Sequence, residues 1–107
     1  MNHFEKPEGA ARIRRITEME NRLNRIGTAL KIAEGCPDVL DAVREDVRAL
    51  SAYFEGPLWR EDFEADEAGL LPQDMKRGVL SEDAIYDLLE EYDALKVQMQ
   101  EAEKKQE

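Results

Sequence analysis

Apolar residues recur at every third or fourth position in three separate stretches of this chain. Ile16, Met19, Leu23, Ile26, Leu30 and Ala33 make the first series, and Leu40, Val43, Val47, Leu50 and Phe54 the second. Ile85, Leu88, Tyr92, Leu95, Met99 and Ala102 make the third. That spacing lays a single stripe along a helix, whereas a half-buried strand needs strict alternation. Short isolated helices are marginal in water, so each stripe must be buried against another. Three stripes on one polypeptide can cover one another. The predicted fold is therefore all-α: a three-helix up-down-up bundle forming one domain over residues 8–104. An intermolecular coiled coil is the competing reading of the same periodicity, and a homodimer through a leftover face ranks second.

Local signals place the helix ends. The first helix is predicted over Glu8–Glu34, after a disordered tail at residues 1–7, with Gly35 supplying a left-handed turn. Pro37 suits the first position of a second helix reaching Glu55, and Gly56-Pro57 ends it. Ser81 is the predicted N-cap of the third helix, with Leu80 and Ile85 at the two positions of a hydrophobic staple. The chain end, residues 105–107, is expected to fray.

Charge is unevenly spread. The formal net charge is −10, and residues 1–48 sum to zero, so the whole excess lies in residues 49–107. Such a chain should avoid nucleic acid and anionic lipid, while a basic protein partner is electrostatically permitted. Solubility alone also accounts for such a charge. Arg12, Arg14, Arg15, Arg22 and Arg25 oppose the dipole of the first helix, and Glu82, Asp83, Asp87, Glu90, Glu91 and Asp93 crowd the start of the third. Parallel first and third helices would let these ends offset each other, which is the basis for the up-down-up order. No stretch approaches the roughly 20 apolar residues of a membrane helix, and Met1 to Pro7 lack the apolar run of a secretory signal. A cytoplasmic location is expected. Cys36 and His3 are the only cysteine and histidine, too few for the common structural zinc sites, and no cofactor is called for.

The connection between the second and third helices, Gly56 to Ser81, is too long and too apolar for a simple linker. This structured connection of about 25 residues carries the single tryptophan, Trp59, with Phe63 one helical turn on. A short helix is predicted over Leu58–Glu64, and a second turn over Pro72–Arg77 with Gly78 as its stop. The segment is expected to fold over one end of the bundle. Asp62, Glu64 and Asp66 imitate the first positions of a calcium loop, but Glu67 stands where glycine is required and Gln73 where a bidentate glutamate is required. Asp62 and Asp66, one turn apart, would suit acid–base work only if buried.

Trp59 has two readings. It plugs the end of the bundle beside Phe54, Phe63 and Leu71, or it stays exposed as an interface anchor. Arg60, Lys76 and Arg77 either hold loop carboxylates and helix-end carbonyls or rim a contact patch.

The run from Leu58 to Gly69, then Leu71-Pro72, then Lys76 to Leu89, resembles the signature of a bacterial family known as domain of unknown function 4298. The resemblance extends over roughly residues 12–100, with residues 58–89 the most distinctive. It implies a short helical cytoplasmic bacterial protein and supplies no reaction, ligand or catalytic residue.

The function expected from the residues is a protein–protein interaction module, with a candidate surface of Trp59, Arg60, Asp62, Phe63, Asp66, Lys76 and Arg77. The alternative is an acidic decoy of nucleic acid, its carboxylate row occupying the basic groove of a partner protein. An enzyme ranks third, because no nucleophile–base pair or cofactor loop stands out.

Overall fold

The computed structural model describes residues 7–105, all of whose regular structure is helical. Of the tail expected at residues 1–7 and the frayed end expected at 105–107, residue 7 opens the first helix and residue 105 ends the last, while residues 1–6, with His3, and 106–107 lie outside the described residues. Five α-helices follow in order: α1 (Pro7–Ile32), α2 (Val39–Ala42), α3 (Arg44–Glu55), α4 (Pro57–Glu67) and α5 (Glu82–Lys105). A 3-10 turn at Gly78–Leu80 leads into α5.

The three apolar series meet in one core. Ile16, Ile26, Leu40, Leu50 and Ile85 are fully buried or nearly so, and Met19, Leu23, Leu30, Val47, Phe54, Leu88, Leu95 and Met99 pack around them. The stripes therefore cover each other within one chain. Ala102 is the exception, exposed near the end of α5. Burying a Leu or Ile side chain contributes about 1.5–3 kcal/mol, which makes this core the main source of stability.

The second predicted helix is broken in two at Val43, whose backbone (φ −105°, ψ 12°) leaves the helical region. Pro37 and Asp38 form a turn ahead of α2, which is wound tightly, with Leu40 N–H on the Pro37 carbonyl and Asp41 N–H on the Asp38 carbonyl. In an unbroken helix the Leu40 carbonyl would accept from Arg44. Here it accepts the buried Tyr92 hydroxyl at 3.2 Å, so the break supplies the partner that α5 needs for a polar group in the core.

Glycine and proline act at other places than expected. Gly35 does not have positive φ; Gly69 does, at +73°, among the described residues. It closes α4 with Leu70 N–H on the Ala65 carbonyl and Gly69 N–H on the Asp66 carbonyl, the paired bonds of a left-handed helix stop. Pro57 does not only end the preceding helix. It opens α4, where a missing N–H costs nothing, so the predicted short helix starts one residue earlier and runs on to Glu67. Gly78 opens the 3-10 turn instead of stopping one at Pro72–Arg77, where the Met75 N–H to Pro72 carbonyl bond makes a single turn.

Ser81 caps α5 as expected: its Oγ accepts the Ala84 N–H at 3.2 Å, and Leu80 and Ile85 are both buried.

Candidate functional site

The least expected feature of the fold is a carboxylate with no solvent exposure. Asp62 sits on the inner face of α4, 0 % exposed. Its oxygens accept from Arg12 Nε at 3.2 Å, Arg15 Nε at 2.9 Å, Arg15 Nη2 at 2.5 Å and the Tyr53 hydroxyl at 2.6 Å. Two arginines one turn apart on α1 thus close on one acid from α4, with α3 adding the tyrosine. A buried charge is tolerable only when paired and hydrogen-bonded throughout, and this one is. The bond to Asp62 raises the Arg15 pKa further, and burial followed by the Asp62 bond pushes the Tyr53 phenol well above its usual value.

The arrangement is repeated farther along α1. Asp46 of α3 accepts from Arg22 Nη1 at 3.0 Å, Arg25 Nε at 3.1 Å and Arg25 Nη2 at 2.8 Å. Arg25 holds the Asp46 carboxyl below the ordinary carboxylate range. The arginines of α1 do not offset the acids of α5 as their sequence positions suggest. These four arginines face Asp46 and Asp62, not the acidic start of the last helix, because α3 and α4 place their acids against α1.

The connection is built into the core and does not merely cover an end of it. Trp59 is 4 % exposed, and its indole N–H donates to the Val79 carbonyl at 3.0 Å. Its ring meets Phe54 edge-on at 5.2 Å and stacks on Phe63 at 5.3 Å. Val79 N–H in turn donates to Glu20 Oε1 of α1 at 2.8 Å, so the 3-10 turn is held from both sides. A methyl group on Gly78 would come within 3.3 Å of Glu20 Oε2. Arg77 binds the Asp66 carboxylate and, through Nη2, the Pro72 carbonyl at 2.7 Å and the Gln73 carbonyl at 3.2 Å.

The seven residues of the sequence-derived surface therefore divide. Trp59 and Asp62 are buried, Phe63 is half-buried against the Trp59 ring, and Asp66 and Arg77 pair with each other. Arg60 and Lys76 remain exposed, Arg60 with its guanidinium 6.0 Å from the Trp59 ring centre. Trp59 is thus a core residue and not an exposed anchor, with Phe54 and Phe63 against its ring as expected. Asp62, the first position of the calcium-like pattern and one half of the candidate acid–base pair, spends its oxygens on Arg12, Arg15 and Tyr53.

Reasoning from sequence missed the buried ion-pair clusters, Glu20 and Tyr53. A signal existed: Arg12 with Arg15, and Arg22 with Arg25, are each one turn apart and so present paired guanidiniums on one side of a helix.

The acids of α5 are arranged differently. Glu82, Asp83, Asp87, Glu90, Glu91 and Asp93 are all exposed, and none forms an ion pair among the described residues. Lys96, the next basic residue along the helix, pairs with Asp41 at 3.0 Å. Among the described residues no helix is long and apolar enough to cross a membrane.

No curated protein and no solved structure gives a significant match to this chain. The family model for a domain of unknown function (DUF4298) matches residues 16–102, which takes in all of α2, α3, α4 and the connection with most of α1 and α5. The chain belongs to the DUF4298 family.

Proposed function

We propose that this protein is a protein–protein interaction module of the bacterial cytoplasm that presents the acidic outer face of α5 to a basic partner. One observation carries the reading. Four of the five arginines of α1, Arg12, Arg15, Arg22 and Arg25, are bound to Asp46 and Asp62, while the exposed acids of α5 keep no cationic partner of their own among the described residues. Unpaired surface acids attract a basic partner and steer its approach. The buried carboxylates support binding over catalysis, since their lone pairs are committed to guanidiniums and a phenol.

The scaffold behind that face reads as a three-helix up-down-up bundle of α1, the α2–α3 unit and α5. Arg25 meets Asp46 while Arg15 meets Asp62, which supports α1 and the α3–α4 side running in opposite directions. Glu20 meets Val79, and Gly27 lies beside Leu88, which supports α1 and α5 running the same way.

The acidic decoy is the second reading, favoured by the same row of exposed carboxylates. It differs in what it requires of the partner, a nucleic-acid groove. Affinity capture from a bacterial lysate separates the possibilities, comparing wild type with a variant carrying Asp87→Lys and Glu91→Lys. The reading expects a partner recovered by wild type and lost by the variant. Recovery of the same proteins by both, or of none by either, would sink it. Competition of that partner by nucleic acid selects the decoy.

A further inference from the structure

Where the end of α3 meets the first turns of α5, the surface holds a groove of about 360 Å³ lined by Phe54, Glu55, Tyr86, Leu89, Glu90 and Asp93. Its composition is what sets it apart. The apolar part is two aromatic rings and a leucine, and Tyr86, 59 % exposed, is the most exposed large apolar side chain among the described residues. Every charged residue that lines it is an acid.

We infer that this groove is the docking site for a basic amphipathic segment of a partner protein, which inserts a large apolar side chain between Phe54, Tyr86 and Leu89 while its lysines or arginines meet Glu55, Glu90 and Asp93. The inference rests on the interaction-module reading and locates that module's contact. Three features carry it. An exposed tyrosine beside half-buried apolar neighbours is the composition of an interface anchor site, since aromatic rings supply large contact area at low entropic cost. The acidic rim selects the sign of the partner by charge complementarity. The floor is preformed: Phe54 packs edge-on against Trp59, which is itself fixed by its bond to Val79, so little ordering opposes binding. A second copy of this chain does not fit a symmetric contact here, because the two-fold operation would bring two grooves whose charged lining is wholly acidic face to face.

Titration of the isotopically labelled full chain, followed by amide NMR shifts, tests the assignment. The probe is an amidated helical peptide of roughly twelve residues, with leucines at the i, i+3, i+4 and i+7 positions and lysines elsewhere. A lysine–serine peptide of equal charge and spermidine are the comparison arms. The expected result is saturable binding of the lysine–leucine peptide, with shifts grouped at residues 54–55 and 86–93. Tyr86→Ala should weaken it about tenfold and Glu90→Lys with Asp93→Lys should abolish it. Tyr86 is exposed, so an unchanged circular dichroism spectrum separates lost binding from lost folding. Equal binding of the serine peptide or of spermidine, shifts centred elsewhere, or indifference to Tyr86→Ala would each overturn the groove. A lysate partner captured equally by wild type and Tyr86→Ala removes the groove and leaves the module standing. Capture of no partner at all removes the module.

Discussion

Replacing Asp62 is the sharpest test of how this fold is held together. The carboxylate is sealed from water and accepts four hydrogen bonds, three of them from guanidinium nitrogens. Asp62→Ala removes every acceptor at once. The Tyr53 hydroxyl is then stranded in the core, and Arg12 and Arg15 lose their counter-charge. Breaking a buried pair from one side costs about 3–5 kcal/mol. The arginine side chains are 25 % and 23 % exposed, so both heads can turn partly toward water, which places the expected loss near the lower end. Asp62→Asn is more informative. It keeps the shape and one oxygen, but sets an amide NH2 against a guanidinium N–H, donor to donor. Its expected cost is about 2–3 kcal/mol, from the loss of charge-assisted bonds. Total stability for a domain of this size is about 5–15 kcal/mol. With a urea slope of about 1.5 kcal/mol per molar, 3 kcal/mol moves the unfolding midpoint by about 2 M. The assay is urea unfolding followed by helical circular dichroism, with Asp66→Asn as a control. Asp66 keeps 23 % of its side chain in solvent, where Asp62 keeps none, so the control should cost less, about 1 kcal/mol. If Asp62→Asn and the control shift the midpoint equally, the buried cluster is not a principal support of the fold.

Other perturbations give outcomes of similar clarity. Trp59→Phe keeps the ring stack but strands the Val79 carbonyl; a loss of about 1–2 kcal/mol in urea unfolding is expected, and the wild-type indole should show blue-shifted fluorescence that resists acrylamide quenching. Asp46 has a folded pKa below its unfolded value of about 3.9, so it contributes stability that is present above that pH and lost as pH falls through the folded value; Arg25→Ala should flatten acid unfolding below about pH 4, measured as midpoint against pH. Tyr53 is the opposite case, its phenol raised above the unfolded value of about 10, so its contribution is complete below that pH and lost as pH rises past it; Tyr53→Phe should reduce the alkaline fall in stability. Gly69→Ala forces a side chain into the left-handed region at φ +73° and should cost about 1–2 kcal/mol by thermal unfolding.

How much of this was legible in the sequence depends on whether the cause is local. The stripes were readable because one period says which residues share a face, and those residues are the core. Ser81 was readable because a cap acts on an N–H three residues away. The break at Val43 was not: the Leu40 carbonyl beside it accepts the Tyr92 hydroxyl, about fifty positions distant, and no local signal shows that pairing. The two ion-pair clusters failed for a related reason. The helical dipole offered a local account of the arginines, and the true partners, Asp46 and Asp62, become visible only when α3 and α4 lie against α1. The candidate surface misjudged Asp62 because a strongly acidic segment makes each acid look solvated. Position on the inner face of α4, one helical turn before Asp66 and three residues after Trp59, decides that Asp62 alone is enclosed.

That division of acids bears on function. Acids outnumber cations 25 to 15 in this chain, and four of the cations, Arg12, Arg15, Arg22 and Arg25, are committed to two internal carboxylates. Replacing such clusters with apolar residues is often neutral or stabilising in other proteins, so stability alone gives little reason to keep them. Their geometric effect is clearer. Each joins α1 to an element of the α3–α4 side at a fixed register, and a mismatch by one turn would bury an unpaired charge. The same register brings Trp59 under Phe54 and sets Phe54 beside Tyr86 and Leu89 at the groove. The arginine pairs on these buried carboxylates thus fix the placement of an acidic, aromatic surface without adding positive charge to it. The consequence can be checked at a distance: Arg15→Met, which keeps much of the side-chain volume but loses the Asp62 bonds, should alter Tyr86 and Leu89 amide shifts though neither residue touches Arg15. Unchanged shifts in a folded variant would separate the core clusters from the surface and remove the link between them.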